Sequence, residues 1–346
     1  MRVGIDGKAL LPPRAGISRY LEGLLGGLAH AGHPGVELAV VSPERPRRTL
    51  PWVLWDLQRA TGRGFEVFHF PFYYPSLRPR CPVTVAIHDV LVLEHPEWFP
   101  RGLTNTLRLL VPGGARRAAA ICTGSASVAD AIAERCRVPR ERIHLTGYGV
   151  DRSRFAPPAP AAAAEARARI GLGRPYLLQL GALEPRRGSD LALAACAETR
   201  RAHPDLELAV VGEVRARVAA LREPPPWLRL VGRVADETLP ALFAGAAAVV
   251  APSRGEGFDL PVLEALSCGA VVVASDIAVH REHFAPAVEL FEAGNAGALA
   301  AAIAHVLEDS ASRRRLSAAG SALAERYSWE DVARRHVGVW RSVEGG

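Results

Sequence analysis

Short runs of valine, isoleucine and leucine recur along the whole chain, each followed by a longer stretch rich in alanine and leucine. Connections of that length cannot be hairpins, so the strands run parallel and helices cover both faces of each sheet. In the first half the candidate strands are Val3–Ile5, Val36–Ser42, Val67–Phe70, Val83–Ile87, Ala120–Thr123 and Ile143–Leu145. The second half repeats the pattern with Tyr176–Leu180, Glu207–Val211, Leu228–Val231, Val249–Ala251, Val271–Ala274 and Val288–Phe291. Between the halves lies Ala156-Pro157-Pro158-Ala159-Pro160, which continues neither helix nor sheet and reads as a linker, followed by the alanine-rich helix Ala161–Ile170. A chain of 346 residues, 49% of them hydrophobic, supplies two cores of ordinary size. The expected fold class is α/β, with doubly wound domains over 1–160 and 161–328 facing a central cleft where the carboxyl ends of both sets of strands converge.

Composition excludes several classes. No run of eighteen uncharged apolar residues occurs, and the chain enters an apolar strand at Arg2-Val3-Gly4-Ile5 without a secretory leader, so a cytoplasmic location is expected. The five cysteines (Cys81, Cys122, Cys136, Cys196 and Cys268) are odd in number and widely spaced, which fits reduced packing residues better than disulfides or a metal knuckle. Residues 1–150 hold 19 Lys+Arg against 12 Asp+Glu, a net of +7, and 151–346 hold 23 against 24, a net of −1. The arginines of the basic half are scattered, with no block of five, so no nucleic-acid partner is expected.

The run after the strand at Val249–Ala251 concentrates the chemistry: Pro252-Ser253-Arg254-Gly255-Glu256-Gly257-Phe258-Asp259-Leu260-Pro261-Val262-Leu263-Glu264-Ala265-Leu266-Ser267-Cys268-Gly269. Gly255 and Gly257 allow close backbone approach to a ligand, Asp259 is a natural N-cap, Pro261 suits a first helical turn and Gly269 stops the helix. A helix starting there turns its free N–H groups and positive dipole end toward a diphosphate, Glu264 one turn in is within reach of a ribose diol, and Glu256 faces the same cleft. The two glutamates, eight residues apart, resemble the Glu-x7-Glu signature of the retaining glycosyltransferases of family four, proteins of the GT-B fold with two Rossmann-like domains. The flanking Ser253, Gly257, Phe258 and Leu260 belong to the same resemblance, which is tight over 176–276 and loose over 1–150.

A second element, Gly181-Ala182-Leu183-Glu184-Pro185-Arg186-Arg187-Gly188, resembles the family's Gly-x-Leu-Glu-Pro-Arg-Lys. That resemblance implies that Arg186 or Arg187 clamps the donor diphosphate, where charge grows as the glycosidic bond breaks. Arg187 stands where the family has lysine, and the two cations differ in reach and fork geometry. No Asp-x-Asp occurs, so no metal requirement is expected. Gly232-Arg233-Val234 matches the family's loop near the nucleobase, where backbone groups read the base edge.

In the first half, Gly16 at a helix start resembles the family's small-residue loop that touches the donor phosphate, after Arg14 and Ala15. His69 and His88 both end strands; Ile87-His88-Asp89 resembles the family's His-Asp pair beside the transferred sugar. Asp89 either orients His88 or caps the next turn, Ser125 reads as an N-cap first and an acceptor contact second, and Asp151 as a turn former. Trp52 and Trp55 near Arg45, Arg47 and Arg48 fit either an anionic membrane contact or an amphipathic helix packed on the domain. The final helix from Ser328-Trp329, over 329–346, is implied by the family to complete the first domain.

The expected activity is metal-independent, retaining transfer of a hexose from a nucleotide-diphosphate sugar to a carbohydrate, lipid-linked or small-molecule acceptor. Mannose or a related deoxysugar on GDP is favoured, with no cofactor. Glu256, His88, Arg186 and Arg187 are the candidate catalytic residues, and Asp259, where the family usually has glycine, is a candidate contact to a donor hydroxyl. The alternatives are a nucleotide-sugar epimerase of the same fold or a degenerate sugar-nucleotide-binding subunit.

Overall fold

The computed structural model describes residues 1–11, 16–43, 52–73, 78–181, 183–213 and 223–345. The chain divides into two compact units, Met1–Gly149 with Ser328–Gly346, and Val150–Tyr327. Each holds one six-stranded sheet. The expected linker lies inside the second unit. Pro160 opens the helix Pro160–Arg169, whose first turn has no use for the missing N–H. The segment ahead of it is fixed by Ser267 Oγ donating to the Phe155 carbonyl and by an ion pair between Arg154 and Asp236.

In the first unit the strands are β1 (Arg2–Asp6), β2 (Glu37–Val41), β3 (Val67–Phe70), β4 (Val83–Ala86), β5 (Ala120–Thr123) and β6 (Ile143–Leu145), ordered β2-β1-β3-β4-β5-β6 and all parallel. Every residue of β3, β4 and β5 is buried, as a parallel sheet covered on both faces requires. The helix Trp329–Val343 packs on the helix Gly16–Ala31. Their approach depends on glycine: a Cβ on Gly23 would lie 2.0 Å from the Trp329 ring, and one on Gly27 would lie 2.1 Å from the Trp329 carbonyl oxygen. Ser328 caps that last helix by accepting from the Asp331 N–H, with Glu330 and Asp331 in its first turn.

The second unit is built on β7 (Tyr176–Leu180), β8 (Glu207–Val211), β9 (Leu228–Gly232), β10 (Ala248–Ala251), β11 (Val272–Ser275) and β12 (Glu289–Phe291), again all parallel. Their order is β12-β11-β10-β7-β8-β9, so the direction in which the chain lays down strands reverses between β7 and β10. Such a reversal marks the place where open parallel sheets bind ligands, at the strands' carboxyl ends. Leu178 of β7 lies opposite Val249 of β10, and the loops after both strands leave the sheet side by side. At Gly188 (φ +64°) the first loop touches the second: a Cβ there would lie 2.0 Å from the Pro252 carbonyl oxygen.

Candidate active site

The loop after β7 carries Arg186 and Arg187 on a single turn of 3-10 helix, Pro185–Arg187. Gln179, buried in β7, donates through Nε2 to the Arg187 carbonyl (2.9 Å) and to Ser189 Oγ (3.3 Å), fixing that turn to the sheet. The loop after β10 is tied to it twice. The Arg254 N–H donates to the Arg186 carbonyl (2.8 Å), and the Arg254 guanidinium grips Asp190 with two hydrogen bonds (2.8 and 2.6 Å). That bond to Arg254 holds the Asp190 carboxyl below the usual range.

Glu256 sits at the centre, its side chain 6% exposed. Arg186 Nη1 donates to its Oε2 (3.1 Å), Arg187 Nη1 to its Oε1, and Ser253 Oγ also to Oε1 (2.7 Å). Arg186 further contacts the Gly255 carbonyl (3.3 Å) and the partly exposed Glu184 (3.4 Å). Two guanidinium groups thus share the buried Glu256 carboxylate, with Glu184 and Asp259 as further acidic neighbours, and an incoming anion would have to displace Glu256 from them. The helix Leu260–Ser267 starts beside them and adds its positive dipole end.

Asp259 corrects one expectation. It occupies the N-cap position, but its side chain makes no capping hydrogen bond and its backbone is left-handed (φ 75°, ψ 66°). Neither Gly255 nor Gly257 uses that region, so the tight step into the helix falls on the aspartate, a residue type that tolerates it. The side chain turns inward instead. Oδ1 lies 3.8 Å from Arg187 Nη1 and Oδ2 3.2 Å from Nε2 of His280, which is fully buried on the helix Ala278–Phe284. Burial opposes charge on both groups, yet each is pushed toward its ionised form: Asp259 below the usual carboxylate range by His280 and Arg187, His280 above the usual imidazole range by Asp259.

The remaining second-unit candidates are spread along the same loops. Ser253, Phe258 and Glu264 are buried, and Phe258 packs on the His283 ring with centroids 4.7 Å apart. Gly257 and Leu260 bracket the approach to the helix. Arg233 is exposed after β9 and pairs with Glu213 (2.7 Å), beside Val234. His280, Gln179 and Asp190 were not singled out from sequence. Gln179, a polar residue inside the apolar strand Tyr-Leu-Leu-Gln-Leu, carried a readable signal.

In the first unit, His88 ends up with both ring nitrogens engaged. Nε2 donates to the Pro71 carbonyl (2.9 Å), so Nδ1 accepts from the Tyr148 hydroxyl (2.6 Å), and burial pulls its pKa below the usual imidazole value. A contact from His88 to a substrate requires exchange of one of these bonds. Asp89 accepts from the Leu91 N–H (3.1 Å) and so caps the turn. His69 is a core residue with no exposure, its Nδ1 on Thr84 Oγ1 (2.9 Å), and not a site residue. Ser125 caps its helix through the Val128 N–H, and Asp151 turns the chain by accepting from Ser153. Gly16 starts its helix, and a Cβ there would meet no described atom within 4 Å. Trp52 is buried with its indole N–H on the Asp6 carboxylate (3.0 Å), whereas Trp55 is 60% exposed. Arg14, Ala15, Arg45, Arg47 and Arg48 lie outside the described residues. All five cysteines are free thiols, four of them buried. Among the described residues, no group of three His, Cys, Asp or Glu is placed to hold a metal ion.

Two doubly wound units, one with an arginine–glutamate cluster at its strand reversal, have the makeup of a GT-B glycosyltransferase. Residues 163–322 match the model of the glycosyl transferases group 1, and residues 23–154 that of glycosyltransferase family 4. The GDP-mannose-dependent alpha-(1-6)-phosphatidylinositol monomannoside mannosyltransferase of Mycolicibacterium smegmatis is 30% identical over 312 residues, covering 76% of this chain and 77% of the relative. The O-antigen chain mannosyltransferase B of Escherichia coli is 29% identical over 305 residues, covering 86% and 77%. Among solved structures, Anabaena HepE in complex with UDP and glucose has a TM-score of 0.77 at 18% identity, over 99% of this chain and 100% of that one. WaaG, a glycosyltransferase involved in lipopolysaccharide biosynthesis, has a TM-score of 0.75 at 16% identity, over the whole of both chains. The chain belongs to glycosyltransferase family 4. It is a glycosyltransferase that moves a sugar from a nucleotide-sugar donor to an acceptor. No helix among the described residues is long and apolar enough to cross a membrane.

Proposed function

We propose that the protein transfers mannose, or a related deoxyhexose, from a GDP-sugar to a hydroxyl of a glycan, lipid-linked or small-molecule acceptor, with retention of anomeric configuration and no metal ion. The observation that carries this reading is the gathering of Arg186 and Arg187 around Glu256 at the strand reversal of the second unit. Once Glu256 turns from them to the sugar, two fixed guanidinium groups and a helix start supply the donors that a departing diphosphate needs, the task a divalent ion performs in metal-dependent transferases. Preference for GDP and mannose rests on the names of the two mannosyltransferase relatives, one of them GDP-mannose-dependent.

In this reading Arg186 and Arg187 bind the diphosphate, Glu264 the ribose, the backbone at Arg233 and Val234 the base edge, and Glu256 the transferred sugar. Ser253 orients Glu256, while Gly257, Phe258 and Leu260 shape the loop around the sugar. His88 and Gly16 keep the roles implied by the family, at the sugar and at the phosphate. The bond from the anomeric carbon to the phosphate oxygen breaks with its electron pair going to phosphate. The acceptor oxygen bonds to that carbon on the same face, and its proton passes to the departing phosphate oxygen. No protein nucleophile is needed, and configuration is kept. Action at the inner membrane face follows if the acceptor is lipid-linked.

Thermal denaturation with GDP, UDP, ADP and dTDP in EDTA tests the donor assignment. Ligand at a hundred times its dissociation constant adds about 2.7 kcal/mol of stability, and GDP is expected to give the largest shift. No shift with any of the four would end the donor-site reading; a larger shift with UDP would reassign the base. Turnover of GDP-mannose with a hydroxyl acceptor should proceed unchanged in EDTA.

A further inference from the structure

We propose that Asp259 and His280 form one proton-holding pair that keeps the charge of Arg187 available to the donor diphosphate. The inference rests on the donor-site reading above. Asp259 holds a left-handed backbone, which a residue with a side chain rarely adopts, and makes no capping bond, so helix capping does not account for it. Its carboxylate is buried between one cation and one imidazole, 3.8 Å from Arg187 Nη1 and 3.2 Å from His280 Nε2.

The other side of the imidazole decides what lies between them. His280 Nδ1 is 2.8 Å from the Ser275 carbonyl, an oxygen that only accepts, so Nδ1 carries a hydrogen. A neutral ring would then point the Nε2 lone pair at a carboxylate oxygen, two acceptors face to face in a dry site. The 3.2 Å contact therefore holds a proton, and the pair has no net charge. The ring is also keyed to the donor loop, because Ser275 Oγ donates to the carbonyl of Ser253 (2.6 Å), the residue whose hydroxyl orients Glu256.

The titratable and charged groups facing the pair are Arg187, Arg186 and Glu256, and on His280's own helix His283, whose pKa burial and His280 lower. With His280 protonated, Asp259 is already balanced and Arg187 stays a cation toward a ligand. With the proton gone, a bare buried carboxylate competes with the diphosphate for Arg187. Asp259 and His280 are thus positioning residues acting through Arg187.

Calorimetric titration with GDP, or with UDP if that gives the larger thermal shift, tests the pair in the full chain. His280→Gln leaves Asp259 unbalanced and should weaken nucleotide binding about ten- to a hundredfold, the worth of one charge-assisted contact. Adding Asp259→Gly should recover most of that loss. Two purely structural lesions would add instead, so a double variant as weak as His280→Gln overturns the proposal, as does His280→Gln binding like the parent. Nitrogen-15 NMR of the parent gives a reading that does not depend on how a variant folds. At pH 7.5 the His280 ring should carry hydrogen on both nitrogens, and in Asp259→Gly on Nδ1 alone; a neutral ring in the parent overturns the pair. If the parent binds no nucleotide, the donor-site reading fails, while the NMR result still decides whether the pair exists.

Discussion

Replacing Glu256 by glutamine keeps the side chain's shape and its contact with Ser253 but removes the charge that holds Arg186 and Arg187. A hydrogen bond to a charged group contributes about 1.5–3 kcal/mol. The arginine side chains are 16% and 22% exposed and regain water once released, so the free protein should lose about 2–3 kcal/mol, several degrees in the melting of the second unit. The effect on ligand has the opposite sign. The carboxylate that competes with diphosphate for both guanidinium groups is gone, so GDP binding should be retained or tightened by up to about tenfold. GDP then stabilises the variant at least as much as the parent. Turnover should fall by about a hundredfold or more if, as proposed, Glu256 meets the reacting sugar. Paired measurements of melting with and without GDP, and of initial rates, separate these effects. Loss of GDP binding in step with turnover would make Glu256 a nucleotide ligand or a scaffold, and unchanged turnover would remove it from the chemistry altogether.

Gly188→Ala forces a side chain into a left-handed backbone position and onto the Pro252 carbonyl, so it should destabilise the second unit by about 1–3 kcal/mol and weaken nucleotide binding together. Normal melting and affinity would show that the two loops are not held by that contact. Acid should unfold the first unit early. His336 is fully buried, its Nδ1–H on the Val332 carbonyl (2.8 Å) and its Nε2 accepting from the Tyr20 hydroxyl (2.8 Å), and burial pushes its pKa down from 6.5 to about 4. The unfolded chain binds the extra proton between those values, so the contribution of His336 to stability is constant above about 6.5 and falls as pH drops toward 4. The difference is worth about 3 kcal/mol, at about 1.36 kcal/mol per pH unit. Asp6, pushed up to about 6 by burial, acts with the opposite sign in the same unit, and burial lowers His69 and His88 as well. Urea denaturation followed by tryptophan fluorescence at pH 7.5 and 4.5 is therefore read as the difference between the parent and His336→Gln, and the same pH dependence in both would refute the burial argument.

The sheets were legible because a parallel strand buried on both faces is an unbroken apolar run, and such a run needs no knowledge of its neighbours. The order of those strands was not, since β10 beside β7 is a tertiary pairing across about seventy residues. The same division runs through the site. Glu256, Arg186 and Arg187 lie in local motifs that state their own loops, but that both guanidinium groups converge on one carboxylate follows only from the strand reversal. The proline run read as a linker because proline breaks regular structure, while the structure uses Pro160 to begin a helix. Asp259 shows where local reading turns in the wrong direction. An aspartate ahead of a helix is a cap by propensity, and nothing within four residues of it says otherwise. Its actual partner, His280, lies 21 residues on, past β11, and is brought into contact only when that strand pairs with β10. A charge placed on a strained backbone position and then balanced by a buried ring is costly, and the proposed donor site beside it supplies a reason for both.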